Sequence, residues 1–180
     1  MRADAARNLD AVLQTGARLL AEDPGVSVAA IAGAAGVDRR TVYRRFPNRD
    51  ALLCAVFQAK LDAIDDVLAQ SRMAEAPVGV VLHRLVEGAV DVARRYPVGH
   101  EQMGCSSLAV ERHLAHRDSV ETFLRRAADE GLIRADLPDG MAWLLLHGVV
   151  DLVAHQYPDL DSGRAADLAV DVLLGGIGRN

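Results

Sequence analysis

Apolar residues recur at helical spacing along nearly the whole chain, and no stretch alternates as a half-buried strand must. The first run is Leu9, Val12, Leu13, Gly16, Ala17 and Leu20, an i, i+3, i+4 pattern for a helix of about three turns. Glu22-Asp23-Pro24-Gly25 stops it. Ser27 is a natural N-cap for a short second helix through Ile31 that ends near Gly36. Asp38 caps a third over 39–45, and Pro47 ends it by disfavouring helical geometry at Phe46. Asn48 caps a long fourth helix to about Ala69, with Leu52, Leu53, Val56, Phe57, Leu61, Ile64 and Leu68 apolar. After Pro77, further helices are expected at about 78–95, 100–115, 119–130, 138–156 and 161–175. Pro97-Val98-Gly99, Asp118 with Glu121 at the capping-box position, Gly131, Pro138 and Pro158 punctuate them. Aromatic residues are only 4% of the chain, so the core must come from Ala, Leu and Val, a mixture that favours helices. The chain reads as all-α, with about nine helices and no repeat.

A length of 180 residues allows one sizeable core, or a small domain joined to a larger one. Half the residues are hydrophobic and a quarter charged, the balance of a globular chain rather than a disordered one. No apolar run reaches the roughly 18 residues that span a bilayer. The longest candidate, Met141–Val150, is cut by His147 and ended by Asp151. The N-terminus has no apolar signal region, and Cys54 and Cys105 lack C-x-x-C spacing. A cytoplasmic protein with two reduced thiols is expected.

Charge is unevenly spread. Residues 1–50 hold eight Arg against six acidic residues, whereas 51–180 hold twelve basic against nineteen acidic ones. A mildly basic head on an acidic body suggests that only the head meets a polyanion. Most of the head's positive charge sits in "VDRRTVYRRFPNRDALL", which carries five arginines between 39 and 49.

Residues 27–46 give two short helices joined at Ala35-Gly36, a helix-turn-helix pattern whose second helix would enter the DNA major groove. At 100° per residue, Val42 and Phe46 share a face with Asp38, Arg39 and Arg45. Opposite Val42 lie Arg40 and Arg44, flanked by Thr41 and Tyr43. Arginine's fork reads guanine bidentately and pairs well with phosphate. An arginine face that is simply solvated is the competing reading; the small-residue turn, the paired helices and their caps weigh against it.

The stretch "SVAAIAGAAGVDRRTVYRRFPNRDALL" resembles the DNA-binding segment of the tetracycline-repressor-like family of transcriptional regulators. The matching features are the A-x-x-A-G-V turn from Ala32 to Val37, Thr41, the Y-x-x-F of Tyr43 and Phe46, and a basic residue opening the fourth helix. The strong match spans about residues 8–57; the remainder agrees in length and helix count. Arg39-Arg40 departs from the pattern, since many members have a small residue at the second position. The resemblance implies a helix-turn-helix domain over 1–47 and a helical effector-binding and dimerisation domain over 48–180. It implies a homodimer on a near-palindromic operator, acting as a repressor released by a small molecule. Arg39, Arg40, Thr41, Tyr43 and Arg44 then stand at base- and backbone-contacting positions. Ser27 and Arg49 stand at phosphate-contacting ones, near helix N-termini that also favour an anion.

Two further expectations concern the body of the chain. The segment 141–153 is apolar nearly all round, and the last helix, with Leu168, Val170, Val172, Leu173 and Leu174, is similar. These helices form either a monomer core or, as the resemblance favours, a four-helix dimer interface. Phe57, Leu82, Leu85, Met103, Leu108, Phe123 and Trp143 are candidate walls of an effector pocket, and would serve equally as plain core. So aliphatic a lining calls for a hydrophobic ligand.

Other chemistry has little support. His113 and His116 could share a metal with Asp118 or Glu111, but Arg112 and Arg117 beside them indicate a wet surface, and neither metal nor cofactor is expected. Cys54, among Leu52, Leu53 and Phe57, reads as core, and no basic side chain adjoins Cys105 to activate it. There is no G-x-S-x-G, phosphate loop or H-E-x-x-H, so no enzyme is expected. A DNA-binding regulator without a small-molecule effector, controlled by a partner or its own concentration, is the nearest alternative.

Overall fold

The structure, a computed structural model, describes residues 2–99 and 107–178. Among these, eight helices account for the regular structure: α1 (Arg2–Glu22), α2 (Val28–Ala34), α3 (Arg39–Arg45), α4 (Arg49–Ser71), α5 (Val78–Arg95), α6 (Ser107–Asp129), α7 (Met141–Gln156) and α8 (Ser162–Ile177). The all-α expectation holds. The two helices expected on either side of Asp118 are one, α6. Nothing between 107 and 129 breaks a helix, and Ser119 turns its hydroxyl back onto the Ala115 carbonyl at 2.9 Å, a bond compatible with uninterrupted helix. Asp118 is therefore an exposed mid-helix residue and not a cap.

The chain divides into two compact units, 1–62 with 95–111, and 63–94 with 112–180. In the first, Val12, Ala17 and Leu20 of α1 are buried together with Ile31 and Ala32 of α2, Val42 of α3, and Leu52, Val56 and Phe57 of α4. A Cβ at Gly16 would meet Val56, Ile31 and Leu52 at ordinary contact distance, so α1 packs beside α2 and α4 there without depending on glycine. Lys60 donates to the Val98 carbonyl at 2.7 Å, and Tyr96 is buried nearby in sequence. Burial and the carboxylates of Asp10 and Asp62 push the Tyr96 hydroxyl up from its usual range, so it remains a neutral phenol.

The core of the second unit is drawn from α5 to α8: Val81, Leu82, Leu85, Val86 and Val90, then Val120, Phe123, Leu124 and Ala127, then Leu146, Val150 and Val153, and Ala165, Ala166, Ala169 and Leu173. Two arginines close its loops by donating to loop carbonyls. Arg126 donates to Met73 and Ala76 carbonyls at 2.7 and 3.0 Å. Arg94 donates to Leu160 and Tyr157 carbonyls at 2.8 and 3.0 Å, beyond the end of α7. Between α4 and α5 the approach depends on a missing side chain: a Cβ at Gly88 would lie 2.7 Å from both methyls of Val67.

Gly88→Ala is expected to destabilise the protein by about 1–2 kcal/mol, because overpacking outweighs the helix propensity that alanine adds. Thermal unfolding of Gly88→Ala in wild-type and Val67→Ala backgrounds measures it. Loss of stability in both backgrounds alike would mean that Val67 is not the obstacle.

Candidate nucleic-acid interface

Seven-residue helices have little stability of their own, so α2 and α3 are held by their ends. Ala30 N–H donates to the Ser27 hydroxyl at 3.1 Å, which caps α2. The helix closes as a Schellman turn: Val37 N–H reaches the Ala32 carbonyl at 3.0 Å and Gly36 N–H reaches Gly33 at 3.1 Å. Gly36 carries this turn at φ +66°, in the left-handed region, with nothing within 4 Å of where a Cβ would stand. Glycine is needed here for its backbone and not for space. Asp38 then caps α3 through Thr41 N–H at 3.0 Å, and Asn48 caps α4 through Ala51 N–H at 2.8 Å.

These caps set α3 with Val42 2% and Phe46 6% exposed. Arg39, Arg40, Thr41, Tyr43, Arg44 and Arg45 all face solvent. The Arg45 guanidinium lies 5.9 Å from the centre of the Phe46 ring, at the outer limit of a cation–π contact, so it borders the buried face. Among the described residues, no carboxylate pairs with Arg39, Arg40, Arg44 or Arg45, although the chain as a whole is acidic. Four guanidiniums without a partner on two turns of helix repel one another and are stabilised by an incoming anion.

The remaining site residues differ in how free they are. Ser27 is exposed; its oxygen accepts the cap bond while its O–H stays available to donate. The Thr41 hydroxyl leans on Asp38 at a long 3.4 Å. Arg49 is half-buried beside Asp50, with NH1 at 3.6 Å from the carboxylate, and its Nε is shut off from solvent without a partner.

The candidate pocket residues scatter. Leu82, Leu85 and Phe123 are buried together in the second unit, with Trp143 packed against the same core. Phe57 is buried in the first unit, where Leu108 stands 59% exposed and forms no wall; Met103 lies outside the described residues, as does Cys105. Cys54 is half-buried.

His116 corrects the expectation of a wet surface. It is buried to 8% exposure, its Nε2 sits 2.6 Å from Asp65, and Asp65 also takes a hydrogen bond from Arg112. The signal was present in the spacing: His116, Val120, Phe123 and Ala127 stand at i, i+4, i+7 and i+11, the buried stripe of α6. No three His, Cys, Asp or Glu among the described residues are grouped to hold a metal. No helix among them is long and apolar enough to cross a membrane.

Residues 12–56 match the family model of the bacterial regulatory proteins, tetR family. The HTH-type transcriptional repressor LfrR of Mycolicibacterium smegmatis is 34% identical over 86 residues, which cover 48% of this chain and 46% of that one. That alignment therefore spans less than half of the curated relative. The crystal structure of LfrR in complex with proflavine superposes with a TM-score of 0.72 at 23% identity, over 95% of this chain and 97% of that one. A TetR family transcription regulator from Marinobacter aquaeolei superposes with a TM-score of 0.71 at 18% identity, over 100% of both chains. These superpositions establish a common fold.

Asp38→Ala is expected to cost about 1 kcal/mol of stability by uncapping α3. Chemical denaturation checks this, and an unchanged midpoint would show that α3 does not depend on its cap.

Proposed function

We propose that this chain, whose residues 12–56 match the family model of the tetR family of bacterial regulatory proteins, is a transcriptional repressor of that family, binding a near-palindromic operator as a homodimer and released by a hydrophobic small molecule. The family is one of regulators and not of enzymes. In this reading residues 1–47 bind DNA in the cytoplasm, and 48–180 dimerise and take the effector. The carrying observation is the exposed surface of α3, where Arg40 and Arg44 stand opposite the buried Val42 and, with Arg39 and Arg45, have no acidic partner among the described residues.

Arg40 and Arg44 face away from Val42, so they are the groove readers, with Arg39, Thr41 and Tyr43 beside them on base edges or backbone. Ser27 and Arg49 are positioning residues for phosphate. The homodimer is supported by α7 and α8, where Leu144 (66% exposed), Leu152 (52%) and Val172 (50%) stand in the open with Met141, Leu145 and Leu168. Apolar residues repeated along adjacent helix faces are what a four-helix interface would cover. The effector is supported by the aliphatic core around Leu82, Leu85, Phe123 and Trp143, and by the LfrR structure with proflavine.

Two third helices of a dimer in successive major grooves require half-sites about 34–36 Å apart, or a multiple of that. In anisotropy titrations, Arg49→Ala should weaken all DNA about equally and flatten the salt dependence by roughly one unit of log–log slope. At least one of Arg40→Ala and Arg44→Ala should lose about 1–3 kcal/mol on the operator and discriminate less at one base pair. Uniform weakening in both would remove the groove-reading role.

Light scattering at micromolar concentration should give a dimer mass for the wild type and a monomer mass for Leu144→Glu, with helicity retained because Leu144 is exposed within the chain. A monomeric wild type would defeat the homodimer.

A further inference from the structure

We propose that α7 carries a notch at Gly148, over which a helix of a second copy of this chain passes at close range. The inference rests on the homodimer reading above and locates the point of closest approach within it.

Gly148 lies midway along α7, about two turns from either end. An interior glycine weakens a helix relative to alanine, so the missing side chain needs a use. Inside the chain there is none. The backbone there is ordinary helix without a positive φ, and nothing lies within 4 Å of where a Cβ would stand. Gly88, the other glycine deep inside a helix of the second unit, gives the contrast, since Val67 occupies the space its Cβ would need. Gly148 instead faces solvent.

Its surroundings on that face are apolar. Leu144 and Leu152 stand one turn before it and one turn after it, both more than half exposed. Two projections with a gap between them form a hole of the kind that receives a facing helix, and backbones come nearest where no side chain intervenes. On α8, Leu168 and Val172 extend the exposed apolar surface. Shape and charge together select a second copy as the occupant. A two-fold contact brings one patch against itself, so the patch must offer projections and a recess at once. Leu144, Gly148 and Leu152 do so within one stretch of α7. Asp151, in line with Leu144, and Asp171, beside Val172, are both exposed and repel a nucleic acid or an anionic membrane surface.

Gly148→Ala and Gly148→Leu, each made in the full chain and again in the Leu144→Glu background, test this. Sedimentation velocity over a dilution series gives the dimer dissociation constant. Thermal unfolding of the Leu144→Glu monomer reports what each substitution does inside one chain. In that monomer, Gly148→Ala should raise the unfolding midpoint by about 2–4 °C, because alanine gains helix propensity in open space. In the dimer the sign reverses. Alanine should weaken association about tenfold and leucine about a hundredfold, as overpacking pushes the partner helix away. Leucine is the sharper probe, since it adds apolar area and would tighten any interface that merely covers the patch. A dissociation constant unchanged or lowered in both variants would overturn the close approach while leaving the homodimer reading intact. A lowered midpoint for Gly148→Ala in the monomer would overturn it too, because the glycine would then serve its own chain. A wild type that stays monomeric across the series, its α7 face left for a different protein, would overturn the homodimer reading and this inference together.

Discussion

The seating of Val42 and Phe46 in the core of the first unit orients everything that α3 displays. A helix has a single rotation about its axis to choose, and two buried side chains four residues apart remove that choice. Once they are inside, Arg40 and Arg44 must point out, with Thr41 and Tyr43 on the flanks. The caps at Ser27, Asp38 and Asn48 and the left-handed turn at Gly36 then determine where each short helix starts and stops. None of these residues would touch a ligand in order to do so, except Ser27, whose hydroxyl has a donor to spare.

The electrostatics follow from the same arrangement. Several arginines elsewhere are neutralised or used as clamps: Arg117 on Glu121, Arg134 on Asp136, Arg126 and Arg94 on carbonyls. Asp136, held by Arg134, drops to about 2, so that pair stays ionised across the physiological range. Only α3 keeps a row of guanidiniums facing water with no acidic partner among the described residues. An acidic body with one basic, unneutralised helix confines attraction for a polyanion to that helix.

Polarity inside the second unit is handled with similar economy. Loop carbonyls are met by Arg94 and Arg126, and Ser71 returns its hydroxyl to the Val67 carbonyl at 2.7 Å. Against this background of satisfied groups, the bare Nδ1 of His116 is an exception, in a helix whose other buried positions are apolar.

The chain's own order determined the helical class, the helix-turn-helix and the outward set on α3, because periodicity, caps and turns act over four residues or fewer. It also marked His116 as sharing a stripe with Val120 and Phe123, a signal that the neighbouring arginines obscured. Tertiary structure alone decided what depends on distant partners: His116 meets Asp65 across 51 positions, Arg126 reaches Met73 across 53, and Gly88 admits Val67. It likewise left Leu144 and Val172 outside the core while burying Leu146 and Leu173, a distinction that two nearly all-apolar helices cannot carry in their pattern, because every face of such a helix satisfies the same hydrophobic rule.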